Sequence, residues 1–262
     1  MGLLGLTVFA PPPVNRPVLW GLQVVSDVFD QRPEQTVLFI GNSRTFYHEM
    51  PEMVRRIADS AGYSEKLRIA MHAPPGESLS DHWANPQVHS LLAEGWDHVV
   101  LQVQSGEQLS DTYSGQLWQT ASRLIKEAQG AGSVPAMFVT WRYTDQCSDD
   151  LGLPSSAYAN MHQNIQYQHA RLAQTTGVDL VNVGQVWERL QYQRAGFSLY
   201  EDCNHPSIYG SYLSALMFYG YLTGGKIAAV TFKPDAIQPG QAKLLQTAVA
   251  AYFKQYPPPS PS

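Results

Sequence analysis

Three side chains in this sequence could together cleave an ester. Ser43 sits in Gly41-Asn-Ser-Arg-Thr45, and Asp202 and His205 sit in Asp202-Cys-Asn-His-Pro206. A serine hydroxyl is a weak nucleophile until a base takes its proton; an imidazole can do so, and a carboxylate can hold that imidazole in the right tautomer. The chain order Ser, Asp, His is one of the known orders for such a triad. The first segment lacks the second glycine of a Gly-x-Ser-x-Gly elbow, so the usual α/β-hydrolase turn does not fit. Ester chemistry also needs N–H donors where negative charge develops on the carbonyl oxygen. Gly76, in Pro74-Pro-Gly-Glu-Ser-Leu79, offers a backbone amide. Gln104 or Gln102, in Leu101-Gln-Val-Gln-Ser-Gly-Glu107, offers a side-chain amide. Gln104, nearer the end of its strand, is the first choice, and Gln102 the second. Plainer readings stand beside these. Asn-Ser is ordinary turn chemistry, Asp-x-x-His is common in loops and caps, Gly76 suits a turn, and the glutamines could be satisfied core amides.

Positioning these groups takes a frame that brings distant segments to one edge. Thr36-Val-Leu-Phe-Ile40 is a short apolar run ending in a glycine turn, the pattern of a buried parallel strand. Strands are also expected over Leu67–His72, Asp97–Gln104, Pro135–Trp141 and Val178–Val183. Helices are expected over Met50–Gly62, Asn85–Glu94, 115–130, about 155–175, 186–191, from Pro206 onward, and 241–255. Pro51 and Glu52 suit a first helical turn and Gly62 its end. Strand and helix alternate five times, which predicts one three-layer α/β/α domain around a five-stranded parallel sheet. Ser43, Gly76 and the pair Asp202 and His205 then fall beyond the carboxyl ends of three strands and Gln104 closes a fourth, at the edge where ligands bind in open α/β sheets. Trp141 and Arg142, which end the fourth strand, are candidates to contact substrate, with packing as the alternative for Trp141. Asp81 is expected to cap a helix. The polar segment from Arg142 to Pro154 is long enough to be a functional loop.

The chain has 262 residues, 44% hydrophobic and 15% charged, with a formal net charge of -5. That supports a full core and, with no dense Lys/Arg run, argues against nucleic acid as a partner. No apolar stretch reaches membrane-spanning length. Leu3–Ala10 is apolar but short and has no basic region before it, so it is not a clear signal peptide. Residues 1–35 are expected to form an N-terminal extension or edge segment, with Val18-Leu-Trp20 and Val24-Val25 covering part of the sheet. The domain is expected over 36–255, followed by a Pro-rich tail at 256–262. His48, His72, His89, His98, His162 and His169 show no metal-ligand spacing, so neither metal nor organic cofactor is expected.

The first and last segments resemble a known family. Ile40-Gly-Asn-Ser-Arg-Thr45 looks like the first block of the GDSL-type, or SGNH, hydrolases, with Asn in place of the usual Asp. Asp202-Cys-Asn-His-Pro206 looks like their last block, and Ser207-Ile-Tyr-Gly-Ser-Tyr-Leu213 is similar to the helix that follows in a bacterial branch. The resemblance spans about Thr36 to Gly224. It implies a flavodoxin-like fold, Ser43 as nucleophile, His205 as base, Asp202 as its orienter, and an oxyanion hole from the amides of Ser43 and Gly76. The family's third block usually carries Gly-x-Asn-Asp. That Asn is missing here; some carbohydrate-directed relatives use a Gln beside Gly-Glu, which matches Gln104. The expected activity is hydrolysis of a small acyl ester, an O-acetylated carbohydrate among the candidates. Acyl transfer with the same triad and a non-catalytic carbohydrate-binding module are the alternatives. Finally, Cys147 and Cys203 lie in loops that adjacent parallel strands would bring to the same edge. A disulfide there would close 203 − 147 = 56 residues, worth about 4 kcal/mol on the chain-entropy model, and would favour a periplasmic or secreted location. Two reduced, buried cysteines are the other reading.

Overall fold

A computed structural model describes residues 30–109, 115–144, 147, 159–191 and 196–258. The expected cover from Val18–Trp20 and Val24–Val25, most of the loop from Arg142 to Pro154, and the end of the Pro-rich tail fall outside these residues.

Five strands, β1 (Glu34–Ile40), β2 (Lys66–His72), β3 (His98–Gln102), β4 (Val134–Val139) and β5 (Asp179–Asn182), form one sheet in the order β2-β1-β3-β4-β5. Every pair is parallel, with Ile40 opposite both His72 and Leu101. The connections leave β1 toward β2 on one side and return to β3 on the other. The crevice where strand order reverses is therefore at the carboxyl end of β1, directly before Ser43. Val37 to Ile40 are fully buried, as a strand covered on both faces requires. The third strand ends at Gln102, two residues earlier than its apolar pattern suggested, so Gln104 lies in a turn beyond the sheet.

Helices cover both faces. In chain order they are α1 (Ser43–Phe46), α2 (Met50–Ser60), α3 (Leu79–Ala84), α4 (Pro86–Leu92), α5 (Gly115–Gly130), α6 (Met161–Thr176), α7 (Val183–Gln191), α8 (Ile208–Thr223) and α9 (Pro239–Gln255). One core joins α2, α7, α8 and α9 to Val37, Phe39, Val100 and Phe138. The other joins α3 to α6 with Leu38, Ile40, Leu101 and Met137. Alternate residues of each strand thus feed opposite cores. Helix α8 is buried from Gly210 to Thr223, and its sequence is apolar on all sides, as a helix sunk in a core must be. Ser207 caps it, its Oγ accepting from the amides of Tyr209 and Gly210. That cap fixes the chain directly after His205. Among the described residues no helix is long and apolar enough to cross a membrane.

Candidate active site

The first half of the site is a turn that closes around one glycine. Gly41 N–H donates to His72 O at 3.1 Å, so the end of β1 is tied to the end of β2. A Cβ at position 41 would sit 2.4 Å from Thr45 Oγ1 and 2.8 Å from Gln102 Oε1. Glycine is therefore required by close approach. Gln102 lies underneath, fully buried. Its Oε1 accepts from Asn42 N at 2.9 Å and Thr45 Oγ1 at 3.1 Å, and its Nε2 donates to Val103 O at 2.5 Å. Asn42 caps α1 through Arg44 N and donates its side-chain amide to Glu77 O at 3.0 Å, which ties the serine turn to the loop carrying Gly76.

The second half is the loop before α8. Tyr200 and Pro206 form an antiparallel bridge, and Glu201 N donates to His205 O at 3.0 Å, so the chain doubles back within a few residues. Asp202 Oδ1 accepts from the amides of Asn204 and His205, both at 2.6 Å, leaving Oδ2 to accept from His205 Nδ1–H at 2.7 Å. Ser43 Oγ–H donates to His205 Nε2 at 3.0 Å, across 162 residues of sequence. Burial works to raise the Asp202 carboxyl, but the hydrogen bonds from His205 and Asn204 outweigh it and hold the group below the usual carboxylate range. Asp202 therefore stays ionised beside the imidazole. The Tyr47 ring stacks on His205 with centroids 4.5 Å apart and planes 3° from parallel. Tyr47 opens a 3₁₀ turn, Tyr47–Glu49, in which His48 and Glu49 have φ of 52° and 54°. Two consecutive left-handed non-glycine residues carry a conformational cost that clusters at functional sites.

Arg44 joins the halves. It is 1% exposed. Its Nε and Nη2 donate to Asn204 Oδ1 at 3.0 and 2.7 Å, and its Nη1 donates to Thr140 Oγ1 at 2.9 Å and Trp141 O at 2.6 Å. The rigid fork of the guanidinium thus links the residue after Ser43, the end of β4, and the residue between Asp202 and His205. Cys147 and Cys203 are bridged, with Cα atoms 5.0 Å apart, within the range a disulfide needs.

Ser43, Asp202 and His205 are therefore brought together. Gly76, with φ of +74°, sits in the exposed loop that Asn42 holds. Gln104 caps the 3₁₀ turn Ser105–Gln108, its Oε1 accepting from Glu107 N at 3.0 Å, which leaves its Nε2 as the candidate donor. Gln102, the second choice, is corrected: its carbonyl oxygen and amide are spent inside the serine turn. For Trp141 the packing alternative is the one that the structure shows. It is fully buried, stacked on Trp187 at 3.7 Å, and donates Nε1–H to Asn204 O at 3.0 Å, so it supports the loop of Asp202 and His205 from within and presents no face to solvent. Arg142 donates to Tyr143 O at 2.9 Å and lies 3.6 Å from Glu188, turned toward α7. Asp81 meets its expected role, completing a capping box with Ser78. Sequence reasoning missed Arg44, Tyr47 and Asn204. Their presence inside or beside the two motifs was visible, but their pairing across the chain was not.

One grouping runs against the expectation from histidine spacing. His72, Glu77 and His82 each offer one ligand atom, all within 4.8 Å of one another. They come from a strand end, a loop and a short helix, so no helical periodicity announces them. Burial lowers the affinity of His72 for protons, and burial together with the neighbouring His72 lowers that of His82 to about 4.

No family model and no curated protein matches this sequence. Solved structures do match in shape. A protein of the DUF4886 family from Bacteroides uniformis aligns with 86% of this chain and 96% of its own, at a TM-score of 0.69 and 17% identity. A candidate SGNH hydrolase from Slackia heliotrinireducens aligns with 73% of this chain and 100% of its own, at 0.58 and 27%. An acetyl xylan esterase aligns with 71% of this chain and 98% of its own, at 0.57 and 12%. Further structural neighbours are GDSL-type lipases and acylhydrolases. The resemblance first carried by two short blocks thus extends over the whole sheet, and the chain has the fold of the SGNH hydrolases.

Proposed function

We propose that the protein is a serine ester hydrolase acting on small acyl esters through an acyl-enzyme. One observation carries this reading. A serine hydroxyl from one segment and an imidazole and a carboxylate from another, distant in sequence, meet in series at 3.0 and 2.7 Å at the strand-reversal crevice. In this reading Ser43 Oγ attacks the ester carbonyl as its proton passes to His205 Nε2. Asp202 holds the Nδ1–H and stabilises the imidazolium. The oxyanion is received by the amides of Ser43 and Gly76 and by Gln104 Nε2. Collapse breaks the bond to the alcohol oxygen, which leaves with the proton from His205. Water then repeats the steps on the acyl-enzyme, releasing the acid and restoring Ser43. No step requires a metal or an organic cofactor.

The acetyl xylan esterase among the fold neighbours supports O-acetylated carbohydrate as the substrate class to try first. The test is a panel of p-nitrophenyl esters of rising chain length run beside acetylated sugars. Turnover confined to acetyl and other short esters, with acetate released from the sugars, is the expected result. Absence of turnover on every ester would overturn the reading.

A further inference from the structure

We infer that His72, Glu77 and His82 form a binding site for one transition-metal dication of the Zn²⁺ class, set behind the serine turn. Three buried polar atoms, His72 Nδ1, Glu77 Oε2 and His82 Nδ1, have no hydrogen-bond partner. The His82 side chain is fully buried and His72 is 5% exposed. Buried polar atoms usually find a partner, and three in one place could share one. His82 Nδ1 stands 3.3 Å from Glu77 Oε2. Two ligands on a tetrahedral ion with bonds of about 2.0–2.1 Å are separated by about 3.3 Å, so this pair already has the spacing of a coordination edge.

The surroundings of His82 fit the same role. Its Nε2–H donates to Gly41 O at 2.9 Å, which leaves the unshared pair on Nδ1, facing Glu77. Metal-bound histidines are held in this way, the far nitrogen donating to a backbone carbonyl. The ring of His72 lies 5.3 Å from that of His82, near edge-on. Its Nε2 is 3.5 Å from the Asn85 amide. Two imidazoles and one carboxylate suit Zn²⁺ and its neighbours better than Mg²⁺ or Ca²⁺, which prefer oxygen alone. The Glu77 side chain is 30% exposed, which gives an ion and a completing water a way in.

The location assigns the ion a positioning task. Gly41 is gripped from both sides, its N–H by His72 O and its carbonyl by His82 Nε2. Glu77 follows Gly76 and is held by Asn42. A bound ion would lock the end of β1, the end of β2 and the Gly76 loop into one unit without touching substrate.

The experiment uses untagged, full-length protein, stripped with a chelator and then titrated with Zn²⁺. Bound metal is counted by plasma mass spectrometry, Tm is recorded with and without Zn²⁺, and Co²⁺ is substituted for its visible ligand-field bands. One Zn²⁺ per chain, a Tm that rises on addition, and Co²⁺ bands of tetrahedral intensity are expected. Glu77→Gln, at the partly exposed position, should weaken Zn²⁺ at least tenfold while the stripped variant stays folded, and His82→Gln should abolish the Co²⁺ bands. Sub-stoichiometric metal in the wild type, or Zn²⁺ affinity unchanged from wild type in Glu77→Gln and His82→Gln, would overturn the inference and leave a buried water as the occupant. These readouts are independent of ester turnover, so they stand or fall apart from the proposed activity.

Discussion

At the scale of single residues, the two glutamines at and just past the end of β3 separate binding from support. Gln102 is fully enclosed and bonds the Asn42 amide and the Thr45 hydroxyl, so Gln102→Leu leaves buried donors unpaired. A loss of about 1–3 kcal/mol in denaturant unfolding is expected. Gln104 spends only its carbonyl oxygen, on Glu107 N. Gln104→Ala should instead lower kcat by about 100- to 1,000-fold with KM little changed and with a far smaller loss of stability. Equal kcat for Gln104→Ala and wild type would remove it from the oxyanion hole. The sequence could place both amides near the end of one strand. It ranked Gln104 first by its place along the strand, but not the two roles, because these depend on where the strand stops. The same limit applies to Trp141, whose type and place suggested a substrate contact and whose ring is packed on Trp187.

At the scale of elements, the loop carrying Asp202 and His205 is held by what lies on both sides of it. The Ser207 cap fixes its exit into α8, Arg44 holds Asn204, and the disulfide ties Cys203 to Cys147. Thr144 N also donates to Cys203 O at 3.0 Å. With the two cysteines 56 positions apart, the bridge should contribute about 4 kcal/mol through the unfolded chain. Unfolding midpoints of oxidised protein and of the Cys147→Ser, Cys203→Ser double variant should differ accordingly. Alkylation of two thiols in denatured, non-reduced protein would show that the bridge is absent. The bridge was legible as one of two open readings. Parallel strands put both loops at one edge, but whether two cysteines face each other depends on loop paths that spacing does not encode.

At the scale of the molecule, the alternation of apolar strands with amphipathic helices made the sheet readable, because burial on two faces leaves so plain a pattern in Val37 to Ile40. The strand order was carried by resemblance alone, and side-chain pairings such as Arg44 with Asn204 follow only from that order. Stability of the whole domain should depend on pH through His169, fully buried in α6 with Nδ1 at 2.8 Å from Ile165 O. Burial holds it at about 4, against 6.5 for an exposed imidazole. The unfolded chain therefore binds a proton the native state refuses, so stability present above pH 6.5 is lost as pH falls toward 4, by up to about 3 kcal/mol. Unfolding free energies from pH 7 to pH 4 should show the decline, and His169→Gln should reduce it but leave the share of His82, also held at about 4; an unchanged slope would assign it to other groups. The central claim is that β1, β2 and the loop before α8 assemble a nucleophile from residues 162 positions apart. Its most direct test is mass spectrometry of protein treated with a fluorophosphonate. One adduct located on Ser43, lost in Ser43→Ala and strongly slowed in His205→Ala, is the predicted result. An adduct that persists in Ser43→Ala, or that maps to another serine, would contradict it.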